Sequence, residues 1–318
     1  MSQQRKFRYS LVIPHYNDFS RLERLLLSLP NEREDLEIIV VDDCSADKNA
    51  LVKSASRWSN VKFLSTKENK GAGVARNIGI DYARGKYLIF ADSDDTFLPD
   101  AFNHFDQHVS EAFDLVYFLC RSIQESNDAR SIRCDVYNEL CQNYLAIQTN
   151  ENLQRLKLNH VVPYAKVYLR DYLLNIGTRH DPTRVGNDVA FNVLSAIRAR
   201  NIRVCPIPVY CIFRRKGSLT TKLGSDVFLE RLGVTTRLAT ELKKLGIRDV
   251  PSATGWLLTS IRYGPKIIFK TWCICLTSDM KIYFLRVLQL KRWLAFLNKA
   301  IRSHLEIRSV GRTDGRDD

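Results

Sequence analysis

The run Gly85-Lys86-Tyr87-Leu88-Ile89-Phe90-Ala91-Asp92-Ser93-Asp94-Asp95 constrains this chain more than any other. Apolar residues entered from a glycine and left through a polar cluster read as a buried strand of a mainly parallel sheet. Side chains alternate along a strand, so Asp92 and Asp94 are expected on one face with Ser93 turned away. Adjacent carboxylates repel, and desolvating them costs several kcal/mol unless a cation lies between them. Two uses stay open at this point. Mg²⁺ or Mn²⁺ is typically held by one or two carboxylates, with substrate phosphates completing the octahedron. Alternatively, Asp92 to Asp95 only cap the helix that Pro99 would help to start.

The residues upstream repeat the pattern. Ser10 to Pro14 is a β-rich run followed by the loop His15-Tyr16-Asn17-Asp18, and Leu22, Leu25, Leu26 and Leu29 then recur at helical spacing up to Pro30. Glu37 to Val41 forms a second run that also ends in carboxylates, Asp42 and Asp43; a helix over 49–58 and a strand at Val61 to Leu64 follow. This βαβαβ alternation specifies a parallel sheet covered by helices, whose ligands bind beyond the carboxyl ends of the strands. Between the acidic clusters lies Asn69-Lys70-Gly71-Ala72-Gly73-Val74-Ala75-Arg76-Asn77-Ile78-Gly79. Its glycines admit close backbone approach, the helix they open aims N–H groups at an anion, and Arg76 adds a cationic fork. It is neither a dinucleotide fingerprint nor a P-loop.

Taken together, Val12-Ile13-Pro14-His15-Tyr16-Asn17, Ile39-Val40-Val41-Asp42-Asp43-Cys44-Ser45, Asn69-Lys70-Gly71 with Ala75-Arg76-Asn77-x-Gly79, and Phe90-x-Asp92-Ser93-Asp94-Asp95 resemble the family 2 glycosyltransferases of GT-A fold. The resemblance implies an inverting transferase that uses a nucleotide-sugar, most often a UDP-sugar, with Mg²⁺ or Mn²⁺. It implies that Pro14, Tyr16, Asp42, Asp43 and Arg76 lie around base and ribose, that Asn69, Gly71 and Ser93 join the donor contacts, and that Asp92 and Asp94 hold the metal. Cys44 stands where glycine is frequent.

Further along, Val185-Gly186-Asn187-Asp188 opens a helix. An aspartate in a first helical turn is commonly a cap, whereas likeness to the family's Gly-Glu-Asp motif makes Asp188 the catalytic base, with Asn187 where glutamate is usual. His160 to Tyr168 resembles the family's lysine-bearing segment, which leaves Lys166 either approaching the diphosphate or lying in solvent. Val204 to Phe213, broken by Pro206 and Pro208, reads as an edge strand. The basic loop Arg214-Arg215-Lys216-Gly217-Ser218-Leu219-Thr220 matches the end of the family's core. The organisation expected is a GT-A catalytic domain over 1–225, with its nucleotide-sugar half at about 1–98 and acceptor half at 99–225, and a basic helical region over 226–318.

The net charge of +13 calls for an anionic partner. Helices are predicted at 228–245, 255–263, 266–276 and 281–304, and the last three carry Arg262, Lys266, Lys270, Lys291, Arg292, Lys299 and Arg302 beside aromatic and aliphatic residues. Such helices lie in the interface of anionic membranes or pack on a core with a solvated basic face. The membrane reading gives an enzyme peripheral on the inner face of the cytoplasmic membrane, with a glycan or lipid-linked acceptor for surface polysaccharide or lipopolysaccharide. Eight scattered cysteines without a C-x-x-C pair favour a reducing compartment. A nucleotidyltransferase would need a Gly-rich basic signature after the first strand, and Pro14 to Asn17 offers none. Nucleic acid is not expected as a partner, because carboxylates at successive strand ends repel phosphate.

Overall fold

A computed structural model describes residues 7–30, 32–58, 60–215 and 224–282. The described residues fall into two compact units, divided between Val234 and Thr235. In the first, strands β1 (Tyr9–His15), β2 (Leu36–Asp42), β3 (Val61–Ser65) and β4 (Tyr87–Phe90) alternate with helices α1 (Phe19–Leu27), α2 (Lys48–Arg57) and α3 (Ala72–Tyr82). They are followed by β5 (Thr96–Phe97), α4 (Ala101–His108), β6 (Leu115–Gln124), α5 (Asp135–Ala146), α6 (Asn150–Asn159), β7 (Lys166–Leu169), α7 (Arg170–Ile176), α8 (Val189–Arg198) and β8 (Ile202–Arg214). The eight strands form one sheet in the order β3-β2-β1-β4-β7-β6-β8-β5. Its first four strands run parallel, β7 is antiparallel to both β4 and β6, and β8 returns parallel to β6.

Strand periodicity sorts the core into two layers. Leu11, Ile13, Ile38, Val40 and Ile89 pack with α1 and α4 on one face, while Val12, Ile39, Val41, Leu88 and Phe90 pack with α3 and α8 on the other. Because β1 lies between β2 and β4, the three carboxyl ends meet at one sheet edge. Phe90, the last residue of β4, is fully buried and touches the rings of Tyr168, His180 and Phe191 at 5.4–5.8 Å. The first polar side chain beyond it, Asp92, therefore starts from a fixed base.

Several elements differ from their sequence expectation. Strand β4 stops at Phe90, and Asp92 to Asp95 form a turn closed by Asp95 N–H on the Asp92 carbonyl at 3.1 Å, so alternation does not place Asp92 and Asp94. Residues 137–158, whose periodicity reads as one helix, form two, parted where Thr149 Oγ1 accepts the Asn152 N–H and starts α6. Strand β6 runs on to Gln124, inside the segment 122–133 whose polar, aperiodic sequence reads as a loop or exposed hairpin. Strand β8 is not a bare edge: β5 pairs with it at Tyr210 and Cys211, and its prolines fall at the register irregularity opposite Leu119.

Helix α9 (Ser225–Lys244) crosses into the second unit, which continues with α10 (Thr254–Ser260), a 3₁₀ turn over Ile261–Tyr263 and α11 (Pro265–Leu276). Lys243 and Thr240 both bind Asp279, at 2.6 and 2.7 Å. The helix expected over 281–304 lies outside the described residues, apart from its first two positions. Among the described residues no helix is long and apolar enough to cross a membrane.

The three ring contacts of Phe90 carry a prediction: Phe90→Ala should destabilise the fold by about 3–5 kcal/mol, read from urea unfolding.

Candidate active site

At the sheet edge the first two carboxylates shape loops. Asp43 N–H binds the His15 carbonyl at 2.8 Å, and the Asp43 carboxylate accepts Lys70 N–H at 3.0 Å, Gly71 N–H at 2.6 Å and the Thr66 hydroxyl at 3.1 Å. The glycine loop is thereby tied to the strand ends. Asp42 is fully buried and accepts both the N–H (3.0 Å) and the hydroxyl of Ser45, whose oxygen accepts Asn17 N–H at 2.7 Å. Pro14 is buried inside β1, while Tyr16 is half exposed at the rim. Cys44, where the family often has glycine, adopts φ +63°. The left-handed turn is kept, at the strain that a Cβ imposes there.

Arg76 joins the site's two halves. It is 4% exposed on α3, donating to Asp92 Oδ1 at 2.5 Å and to Asn187 Oδ1 at 2.9 Å. The neighbouring Asn77 brackets the backbone of His180, its Nδ2 on the carbonyl and its Oδ1 under the N–H, both at 2.9 Å. Gly73 permits this approach of α3 to the 178–188 loop, because a Cβ there would meet the Asp181 carbonyl oxygen at 2.2 Å. The stretch expected to cradle a ligand thus also seats the loop that carries Asp188.

The acidic turn has unequal members. Asp95 is sealed, accepting Phe213 N–H at 2.9 Å, and burial followed by the charges of Asp94 and Asp92 pushes its carboxyl well above the usual range. Asp92 and Asp94 remain about one-third exposed. Desolvation and then the Asp92 charge raise Asp94, opposed by Arg215 and Arg21. Arg24, on α1, lies over the Phe213 ring at 3.7 Å and donates to the Asp94 carbonyl. Arg21 and Arg24 share Glu125, and Arg215 reaches Asp18 at 3.3 Å and Asp94 at 3.8 Å. The rest of the basic loop, 216–220, lies outside the described residues.

The donor set suits a hard divalent cation: two carboxylates of one turn, each about one-third exposed to solvent and each beside one arginine. No group of three His, Cys, Asp or Glu side chains is placed to hold a metal ion among the described residues, so any such ion would be completed by substrate or water. Across Arg76 stands Asp188, at the N-cap of α8, yet its carboxylate makes no cap hydrogen bond. The simple capping role is therefore not what its side chain does. Burial raises its pKa, Arg76 opposes this and Asp92 adds to it.

Two expectations for cationic and polar residues change. Lys166 neither lies in solvent nor reaches the acidic turn: it is fully buried, with Nζ on the His160 carbonyl at 2.7 Å and on Asn192 Oδ1 at 2.8 Å. Asn192 itself was not expected; the only signal was an amide at i+4 from Asp188 inside a mainly apolar helix. Asn69 and Lys70 line a cavity of about 490 Å³ together with Val74, Pro182, Arg184, Asp226 and Glu230.

A mainly parallel sheet flanked by helices, with acidic groups gathered at the carboxyl ends of β2 and β4, defines a GT-A type domain. Residues 10–177 match the model of glycosyl transferase family 2, and the chain belongs to that family. It is similar to the succinoglycan biosynthesis protein ExoO of Rhizobium meliloti, 29% identical over 228 residues that cover 68% of this chain and 64% of that one. Its fold is similar to that of Staphylococcus aureus TarS 1–349 in complex with UDP-GlcNAc, with a TM-score of 0.55 at 20% identity, over 74% of this chain and 66% of that one. The mannosyltransferase PcManGT of Pyrobaculum calidifontis, in complex with GDP-Man and Mn²⁺, gives a TM-score of 0.51 at 14% identity, over 96% and 79% of the two chains. The chain spans less than two thirds of the length of the first curated relatives it matches.

Two predictions follow from this geometry. A carboxyl whose folded pKa is raised penalises the fold above that pKa, and the penalty is absent below the unfolded value. Asp188→Asn should therefore raise the thermal midpoint at pH 7, with the gain vanishing toward pH 3, while lowering turnover by about 10²–10⁴-fold. Cys44→Gly, by relieving the left-handed Cβ, should stabilise the protein by about 1 kcal/mol in urea unfolding.

Proposed function

We propose that this chain is an inverting glycosyltransferase that moves a sugar from a nucleotide-sugar, a UDP-sugar in our reading, to a hydroxyl of a glycan or lipid-linked acceptor in surface polysaccharide assembly. The observation that carries the reading is the pairing of a free carboxylate with an elevated pKa, Asp188, with the Asp92–Asp94 turn across one buried guanidinium. Asp188 takes the proton of the acceptor hydroxyl as its oxygen bonds to the anomeric carbon. The bond from that carbon to the diphosphate breaks on the opposite side, giving inversion in one displacement. Asp92 and Asp94 would hold Mg²⁺ or Mn²⁺, which supplies charge neutralisation to the departing diphosphate. Arg76 and Arg215 add positive charge beside those carboxylates. Pro14, Tyr16, Asp42, Asp43, Asn69, Gly71 and Ser93 are assigned to the donor side, with Asp42 and Asp43 acting mainly by holding its loops. The UDP-GlcNAc bound by TarS and the succinoglycan role in the name of ExoO support the donor and product classes.

The second unit supports a membrane-surface partner. On α11 the exposed side chains Phe269, Cys273 and Leu276 follow one stripe, flanked by Lys266 and Lys270, an apolar ridge with a cationic margin. Eight unpaired cysteines agree with a reducing compartment and hence with the cytoplasmic side of the membrane.

A panel of nucleotide-sugars, followed by release of free nucleotide with and without EDTA, tests the enzyme reading. Metal-dependent release with one donor is expected, and Asp92→Ala or Asp94→Ala should lower it about 100-fold or more. Full activity in either variant would remove the metal assignment. Pelleting with anionic but not neutral vesicles, lost in Lys266→Glu/Lys270→Glu, is the expected membrane result.

A further inference from the structure

A buried polar hub lies directly behind Asp188. Asn192 is fully buried, and all of its side-chain hydrogen-bonding groups are engaged. Its Oδ1 accepts Lys166 Nζ at 2.8 Å and the Tyr168 hydroxyl at 2.9 Å. Its Nδ2 donates to the Val161 carbonyl at 3.2 Å and to the Asp188 carbonyl at 2.8 Å. The Asp188 carbonyl also accepts the Asn192 N–H at 3.0 Å, so one residue grips it twice. The two donors from β7 fix which end of the amide faces which way, since an inverted amide would turn N–H groups toward an ammonium and a hydroxyl.

Lys166 is the costly member of this hub. It has no carboxylate partner among the described residues; its amine rests on the His160 carbonyl, on Asn192 and over the Tyr117 ring at 5.0 Å. Burial holds that amine well below its ordinary pKa. A methionine of similar volume would fill the space without the desolvation penalty. What the amine supplies is orientation of Asn192, and through it of the first turn of α8, where helices ordinarily fray.

We propose that Lys166, acting through Asn192 with help from Tyr168, is a positioning residue for Asp188: the hub locks the backbone of the base so that its uncapped carboxylate keeps one direction toward the acceptor. This rests on the reading of Asp188 as the base. Lys166 touches neither donor nor acceptor, so its loss should change the rate of the chemical step and not donor affinity.

The test compares Lys166→Met, Lys166→Gln and Tyr168→Phe in the full chain. It reads kcat and KM for cleavage of the sugar nucleotide that the panel selects, binding of UDP with Mn²⁺, and the thermal midpoint. Lys166→Met is expected to lower kcat by about tenfold or more, with KM and UDP affinity within about twofold and no fall in midpoint. Lys166→Gln, which keeps an N–H donor without charge, should recover part of that loss, and Tyr168→Phe should lower kcat by about threefold. Unchanged kcat in Lys166→Met, or KM and UDP binding that worsen in step with kcat, overturns the inference. Should Lys166→Met not fold, Tyr168→Phe decides, and an unchanged kcat there overturns it. Asp188→Asn run alongside separates the two levels: full cleavage by Asp188→Asn removes the base assignment itself, whereas loss there with an intact Lys166→Met removes only the positioning role.

Discussion

The site depends on one buried guanidinium. Arg76 takes its place on α3 with Asp92 at the end of β4 on one side and Asn187, next to Asp188, on the other. A cation this deep is stable only while its partners stay in place, so the three chain segments are held as a unit. Asn187 accepts from Arg76 as a neutral amide and so adds no negative charge beside it. Of these two contacts only Asp92 is charged, so the guanidinium is balanced by that one carboxylate.

Around that strut the carboxylates divide by solvation. Asp42 and Asp43 spend their lone pairs on backbone and hydroxyl donors of the adjacent loops. Asp95 is enclosed and locks β8 against the acidic turn. Asp92 and Asp94 keep exposed oxygens, and Asp188 keeps a carboxylate that caps nothing. The same residue type, six times around one sheet edge, therefore does two kinds of work. What separates them is how many protein donors reach each carboxylate before water or substrate does.

The relation between the loops follows from close packing. Without a side chain at Gly73, α3 meets the 181–187 segment at van der Waals distance, and Asn77 adds a two-sided clasp on His180, whose ring stacks on Phe191 at 3.9 Å. The glycine loop and the loop that carries Asp188 therefore share a foundation in the core layer built on Phe90.

Much of this was legible in the chain itself. Alternating apolar runs and helical periods gave the parallel half of the sheet, because burial on both faces leaves an unmistakable pattern, and the ordered motifs carried the family. The antiparallel strand β7, the division of the helix at Thr149 and the partial covering of β8 were not legible, since strand order and register are decided by long-range pairing that short windows do not encode. Lys166 shows the limit most plainly. From its neighbours it could face a diphosphate or solvent, and only the packing of β7 between β4 and β6, with α8 laid over it, turned its amine inward to Asn192. The sequence by itself determined which chemical groups this protein owns and in what order. The tertiary structure alone decided which of them are desolvated and paired, and which are left free to act, because desolvation and pairing depend on neighbours far apart in the chain.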